Sequence, residues 1–426
     1  MDFELLHPRE QLVQIMDRIY RYGLTTTSGG NLSIRDDNGD VWITPSAVDK
    51  GNLRPRDITC IKPDGRAAGP HPPSSELPFH QSIYAQRPDV RAVVHAHSPA
   101  LIAFSIARKI PNTRIIPQAH HVCGEVGYAP YALPGSWHLG ENIAKTFAKG
   151  YEAVLLENHG AATVGLDLLR AFHRLETLDV CARTEIQASL LGAVQPLTDE
   201  EIALFEGRGA TLPAFQVQRH SSRERELLQE MCHIVHRAYE QRLMTSTEGT
   251  VSARVDAGGF LITPYGIDRK LVSIEDMVLV RDGCTEQGKR PSRAVKLHQT
   301  LYADHPEINC IITAQTPNAM AYAVTGQRLA TRTIPETYVV LRDVPLIPYR
   351  QQYDAMADLS AMLSPKTPVV LIQNDTVLAT GTSIHQAFDR LEVTEFTAFS
   401  LINAQHVGPL APIAEADIKE LEERFG

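Results

Sequence analysis

Apolar residues recur at three- and four-residue intervals in two distant parts of the chain. Between positions 9 and 22 they fall at Leu12, Ile15, Met16, Ile19 and Tyr20, a spacing that predicts one buried helix face. Between positions 224 and 242 they fall at Met231, Ile234, Val235 and Tyr239. Ile15, Tyr20 and Leu24 each meet an identical residue 219 positions later, at Ile234, Tyr239 and Leu243. Ile43-Thr44-Pro45 recurs as Ile262-Thr263-Pro264, a short strand running into a Pro-punctuated turn. Further on the offset is 218, pairing His80-Gln81 with His298-Gln299 and Pro130-Tyr131 with Pro348-Tyr349. Near the end of each copy it is 216, where Ala171-Phe172 meets Ala387-Phe388. A slow drift of this kind is what changes in loop length produce, and the chain reads as an internal duplication.

Each copy predicts an N-terminal helix, a hairpin and a helix beginning near Pro73. A strand through His95, further short strands, a strand over 154–163 and a long helix from Leu168 complete it. That is an α/β domain with strands in the middle and helices at both ends. Residues 206–222, rich in Gly, Ser, Arg and Gln, read as a linker between domains at 1–205 and 223–426. A length of 426 residues suits two cores.

Composition narrows the class. A hydrophobic fraction of 43% with 21% charged residues is that of a soluble globular protein. A net charge of −9 argues against a nucleic-acid footprint. No apolar run is long enough for a bilayer, and the opening residues lack a secretory pattern. Six scattered cysteines without C-x-x-C spacing read as reduced thiols of a cytoplasmic protein.

The candidate chemistry starts at His95 and His97, alternate residues that a strand would project from one face. Alone, an H-x-H pattern is weak. Here a carboxylate, Glu76, and a third imidazole, His159, are available as well. The duplication supplies a control: the second copy has Ala294, Thr313, Gln315 and Asp375 at the positions of Glu76, His95, His97 and His159. All four change together while the apolar frame persists, so folding does not require them and metal binding does. His80 and Asp49 have counterparts in His298 and Asp268, and therefore read as structural. Three imidazoles leave an open coordination position, as a catalytic zinc requires, though manganese, cobalt or iron also suits such ligands.

These residues resemble the class II aldolase/adducin family. The resemblance rests on Ser28-Gly29-Gly30-Asn31-Leu32-Ser33, Ile43-Thr44-Pro45-Ser46, Ser74-Ser75-Glu76, His95-Ala96-His97 and Asn158-His159-Gly160, in that order. It implies tandem α/β/α domains, each with a largely antiparallel central sheet flanked by helices. It implies a divalent metal on His95, His97 and His159; a carboxylate beside that metal, Glu76, can ligate it at rest and act as the proton shuttle when displaced. By the same analogy Asn31, Ser46, Ser74 and Ser75 cradle the substrate, with the start of the helix after Pro73 aiming backbone N–H groups at an anion. His120 and His121 stand where family aldolases acting on fuculose phosphate carry a tyrosine, and are candidate proton donors.

The expected activity is a metal-dependent aldehyde-lyase. It would cleave a small hydroxy-ketone or sugar acid, phosphorylated or not, through a metal-stabilised enediolate. The alternatives are 4-epimerisation or decarboxylation at the same site, or a non-catalytic adducin-like scaffold. The resemblance also implies a homo-oligomer, a dimer of tandem chains or larger, since family enzymes are commonly four-fold assemblies.

Overall fold

The computed structural model describes residues 3–209 and 211–425. The chain divides into two compact units: Met1–Thr113 with Ala119–Arg183, and Arg114–Gln118 with Thr184–Gly426.

The first unit is built on eight strands: β1 (Asn31–Arg35), β2 (Val41–Ile43), β3 (Thr59–Ile61), β4 (Ala67–Ala68), β5 (Ala92–Ala96), β6 (Val126–Ala129), β7 (Ala153–Leu156) and β8 (Gly160–Gly165). Their order is β4-β3-β2-β1-β5-β8-β7-β6, antiparallel throughout except for the parallel β6–β7 pair. The helices are α1 (Pro8–Arg21), α2 (Leu77–Gln86), α3 (Pro99–Ala107), α4 (Pro117–Cys123), α5 (Trp137–Phe147) and α6 (Leu168–Leu191).

Alternation along the central strands makes the layers. On β5, Ala92, Val94 and Ala96 pack with Leu12, Ile15 and Met16 of α1, Leu101 of α3 and Phe172 of α6. Val93 faces the other way, with Phe79 and Ile83 of α2 and Ile143 and Phe147 of α5. A strand buried on both faces carries an unbroken apolar run, as β7 does; β5 is buried throughout too, and its run is broken only by His95. Each fully buried Val or Leu contributes roughly 1.5–3 kcal/mol, so both helical layers are held firmly to the sheet. The α1 helix lies close to its predicted span, because its apolar stripe had a single period.

Two expected elements differ. The second helix begins at Leu77, not near Pro73. Pro73 bridges Pro45 and the Ser74 N–H donates to Thr44 O, so the chain there is still extended against β2. The strand expected over 154–163 is two strands, β7 and β8, joined by a turn in which Asn158 adopts φ 54°. An apolar run on either side of Asn-His hides a tight turn that periodicity alone does not reveal.

The second unit repeats the plan with a nine-stranded sheet. From edge to edge its strands are Leu346–Ile347, Val369–Ile372, Thr376–Gly381, Cys310–Ala314, Thr250–Asp256, Gly259–Ile262, Val278–Arg281, Cys284–Glu286 and Ala214–Phe215. Ala214–Phe215 comes from the stretch 206–222 and pairs in parallel with Cys284–Glu286, satisfying edge N–H groups. Asp49 and Asp268 both cap turns, accepting from the N–H groups of Gly51 and Lys270. Among the described residues no helix is long and apolar enough to cross a membrane. The six cysteines are free thiols.

Candidate metal and catalytic centre

Strand register brings the first donors together. Asn31 on β1 lies directly opposite His95 on β5, so both side chains emerge on the α2/α5 face. Glu76 immediately precedes α2 on that face and is 7% exposed. His97 follows β5, and His159 stands in the β7–β8 turn, where the chain reverses beside β5.

Glu76, His95, His97 and His159 each offer a ligand atom, and these atoms all lie within 4.8 Å of one another. His95 Nε2 is 3.0 Å from His97 Nε2 and 3.2 Å from Glu76 Oε2; His159 Nε2 is 3.3 Å from Glu76 Oε1. The fully buried His95 donates from Nδ1 to Ala161 O at 2.9 Å. That bond fixes the tautomer and leaves the lone pair of Nε2 facing the cluster.

Burial holds the flanking imidazoles neutral. Desolvation, reinforced by neighbouring His95, lowers His97 to about 3 and His159 to about 4. Desolvation pushes the Glu76 carboxyl up, but the adjacent His95, His159 and Asn31 outweigh it and keep Glu76 well below the usual carboxylate range. Glu76 Oε1 and His159 Nδ1 are buried without a hydrogen-bond partner. One carboxylate and three neutral imidazoles, with an unpaired carboxylate oxygen among them, are a donor set suited to a divalent cation.

The surroundings sort the other expected residues. Asn31 Nδ2 donates to Glu76 Oε2 at 2.8 Å, so Asn31 supports the carboxylate directly. Ser74 Oγ accepts from the Glu76 N–H at 3.2 Å, and Ser292 repeats this bond to Ala294 in the second unit. With its own N–H on Thr44 O as well, Ser74 is committed to the turn, and its backbone is not aimed at an anion. Ser75 is exposed beside Glu76, and Ser46 Oγ donates to Pro72 O at 3.5 Å.

His120 and His121 are not brought to the cluster within the chain. His120 Nδ1 meets Thr113 Oγ1 at 3.2 Å, and Thr113 is anchored to Gly124 just before β6. His121 lines a cleft of about 430 Å³ with Lys149, Glu152 and Arg174. Those residues surround the start of β7, whereas His159 follows its end. Helix α4 carries both histidines to the far end of the parallel β6–β7 pair, a topology that periodicity does not encode.

Gly29 was legible only as part of the Ser28–Ser33 motif, with no role assigned to it from the sequence. A Cβ there would lie 2.7 Å from His97 Nδ1, so the glycine makes room for that ring. Glu248 stands at its place in the second unit, and its carboxylate accepts from the Gln315 N–H at 2.9 Å. Desolvation raises Glu248 to about 8. Asp375, at the position of His159, is ion-paired with Arg208 at 3.0 Å, and Arg293, at the position of Ser75, stacks over Phe205. The second unit has filled its version of the pocket with side chains.

The class II aldolase and adducin N-terminal domain profile matches residues 10–186 and 229–401. The chain belongs to this family. Its two class II aldolase segments correspond to the two repeats. A 3-oxo-tetronate 4-phosphate decarboxylase of Haemophilus influenzae is 34% identical over 209 residues, 48% of this chain and 98% of that protein. An L-fuculose phosphate aldolase of Methanococcus maripaludis is 33% identical over 173 residues, 41% of this chain and 93% of that protein. The crystal structure of the l-fuculose-1-phosphate aldolase from Thermus thermophilus aligns at 26% identity, covering 44% of this chain and 96% of that one with a TM-score of 0.38.

Proposed function

We propose that this class II aldolase-family chain is a metal-dependent carbon–carbon lyase whose working centre is Glu76, His95, His97 and His159 in the first unit. The observation that carries this reading is the convergence of these four donors in one repeat, set against their joint replacement in the other. An ion held there supplies a Lewis acid for the negative charge that substrate oxygens gain as the bond breaks. Zinc is the preferred occupant by ligand type, and other divalent transition metals suit the same set.

The residues divide the rest of the work. Glu76 presents Oε1 to the cluster, from which it takes the hydroxyl proton of a hydroxy-ketone as the carbon–carbon bond opens, then returns a proton to the product carbon. Asn31 holds that carboxylate in place. Ser75, exposed beside Glu76, and Ser46 would hold a small phosphorylated or carboxylated substrate. His120 is bonded to Thr113 and His121 lines a cleft at the start of β7, so a proton-donating role for either would be exercised at the centre of another chain. Two tandem chains, giving four family domains and two working centres, suit that arrangement; a light-scattering mass of one chain would exclude it.

Retro-aldol cleavage to an aldehyde is the first reading. Decarboxylation of a phosphorylated keto acid is the second, supported by the 34% identity to the Haemophilus decarboxylase. Both break the bond beside a carbonyl and leave charge on the same oxygens, but only the first needs a base for a substrate hydroxyl. Metal analysis and product analysis separate the readings. We expect about one zinc-like ion per chain, with either aldehyde from ketose phosphates or carbon dioxide from 3-keto acid phosphates. An ion without smaller products would indicate epimerisation, and protein without ion would indicate an adducin-like scaffold.

A further inference from the structure

A buried line of hydrogen bonds reaches Glu76 from behind. Tyr84 OH lies 2.7 Å from Ser33 Oγ, and Ser33 Oγ lies 2.7 Å from His80 Nδ1. His80 Nε2 lies 2.5 Å from Asn31 Oδ1, and Asn31 Nδ2 lies 2.8 Å from Glu76 Oε2. Chemistry fixes the direction of each bond. The ionised Glu76 only accepts, so Asn31 turns its NH2 to Glu76 and its carbonyl to His80. His80 must then donate from Nε2. In the neutral ring Nδ1 accepts from the Ser33 hydroxyl, which accepts in turn from Tyr84. The ring is fully buried, and desolvation lowers it to about 3, so the neutral form holds at ordinary pH.

The second unit shows what the line is for. Ser252, His298 and Tyr302 keep the same contacts, at 2.7 Å to His298 Nδ1 and 2.8 Å to Tyr302 OH. Thr250 replaces Asn31 and turns its hydroxyl to Ser292, while Ala294 replaces Glu76. His298 Nε2 is left buried with no hydrogen-bond partner, a costly arrangement for a ring N–H. In the first unit the same nitrogen is satisfied by the Asn31 carbonyl, and it loses its partner in the unit where Asn31 and Glu76 are both replaced. The orphaned nitrogen marks the half of the line that disappeared together with the metal-binding side chains.

We propose that His80 is a positioning residue, whose Nε2–H fixes the Asn31 amide so that its NH2 holds Glu76 Oε2 and leaves Oε1 turned to the metal cluster. The inference rests on the proposed metal centre and adds to it a residue that touches neither ion nor substrate.

The test uses two amides of different reach on the full-length protein. In His80→Gln the amide reaches the Nε2 position and still donates to Asn31. In His80→Asn it reaches the Nδ1 position, keeps the Ser33 contact and loses the donor to Asn31. His298→Asn is the matched control in the repeat without ligands. Zn²⁺ affinity is measured by chelator competition, with thermal unfolding alongside. We expect His80→Asn to bind Zn²⁺ about 10–100-fold more weakly, the usual range for an outer-shell partner. His80→Gln should stay within a few-fold of the parent and His298→Asn should match it. Equal affinity in His80→Asn and parent would overturn the inference. So would equal weakening in His80→Gln, or weakening in His298→Asn, because volume or global stability would then be responsible. A parent protein that takes up no Zn²⁺ would overturn the proposed centre itself, and this inference with it.

Discussion

The two repeats are one pocket with two contents. In the first, a glycine at position 29 leaves room for His97, and four donors face one another with a carboxylate oxygen unpaired. In the second, Glu248 takes the glycine's place, and Arg208 supplies a positive charge to Asp375 where His159 would stand. The comparison teaches that the second pocket does more than lack the four donors: other side chains fill and balance it. The buried acid introduced at the position of His159 needs a cation, and here a guanidinium provides it.

Exchanging ligands should separate the repeats most sharply. His97→Ala removes a donor atom, and we expect Zn²⁺ affinity to fall by more than about 100-fold, beyond the outer-shell range, with turnover lost. Asp375→Ala should leave Zn²⁺ content unchanged. Loss of the ion on the second substitution would reverse the assignment of the two units.

Next comes the ion pair that stands where the first unit has His159. Arg208→Met strands the almost wholly buried Asp375, a loss of about 3–5 kcal/mol in chemical denaturation of the second unit. Adding Asp375→Asn should restore most of it. If the double variant is as unstable as the single one, Arg208 contributes packing and not charge.

Acidity should act on the units in opposite senses. His97 and His159 have folded pKa values below their ordinary value, so the unfolded chain takes up protons first as pH falls below about 6.5. The metal-free first unit therefore loses stability from that pH downward towards about 4 and below, and Glu76, also lowered, adds to the loss in acid. Glu248 has a raised folded value, so its contribution to stability is lost as pH rises from about 4.5 to about 8. Glu248→Gln should remove that decline and leave the acid limb of the first unit unchanged, read as melting temperature against pH. An unaltered alkaline decline would assign the effect elsewhere.

The smallest effect tests where the repeats agree. Ser74→Ala and Ser292→Ala each remove a hydroxyl that accepts a backbone N–H two residues on, and each should cost about 1 kcal/mol. A similar loss in both keeps Ser74 structural. An added rise in KM for Ser74→Ala alone would return it to the substrate cradle.

The sequence by itself determined the duplication, the three-layer class of each domain and the identity of the four converging donors. Those properties are written in periodicity and in differences between aligned copies. The sequence also flagged His80, but its presence in both copies concealed its link to Asn31. Tertiary structure alone decided that link, because it depends on β1 lying beside β5 and α2 crossing them. It decided too that the Asn158 turn splits an apolar run, that α4 carries His120 and His121 to the far end of β7, and that Arg208 meets Asp375. Each of these joins residues that no local spacing connects, and only the folded backbone sets the distance between them.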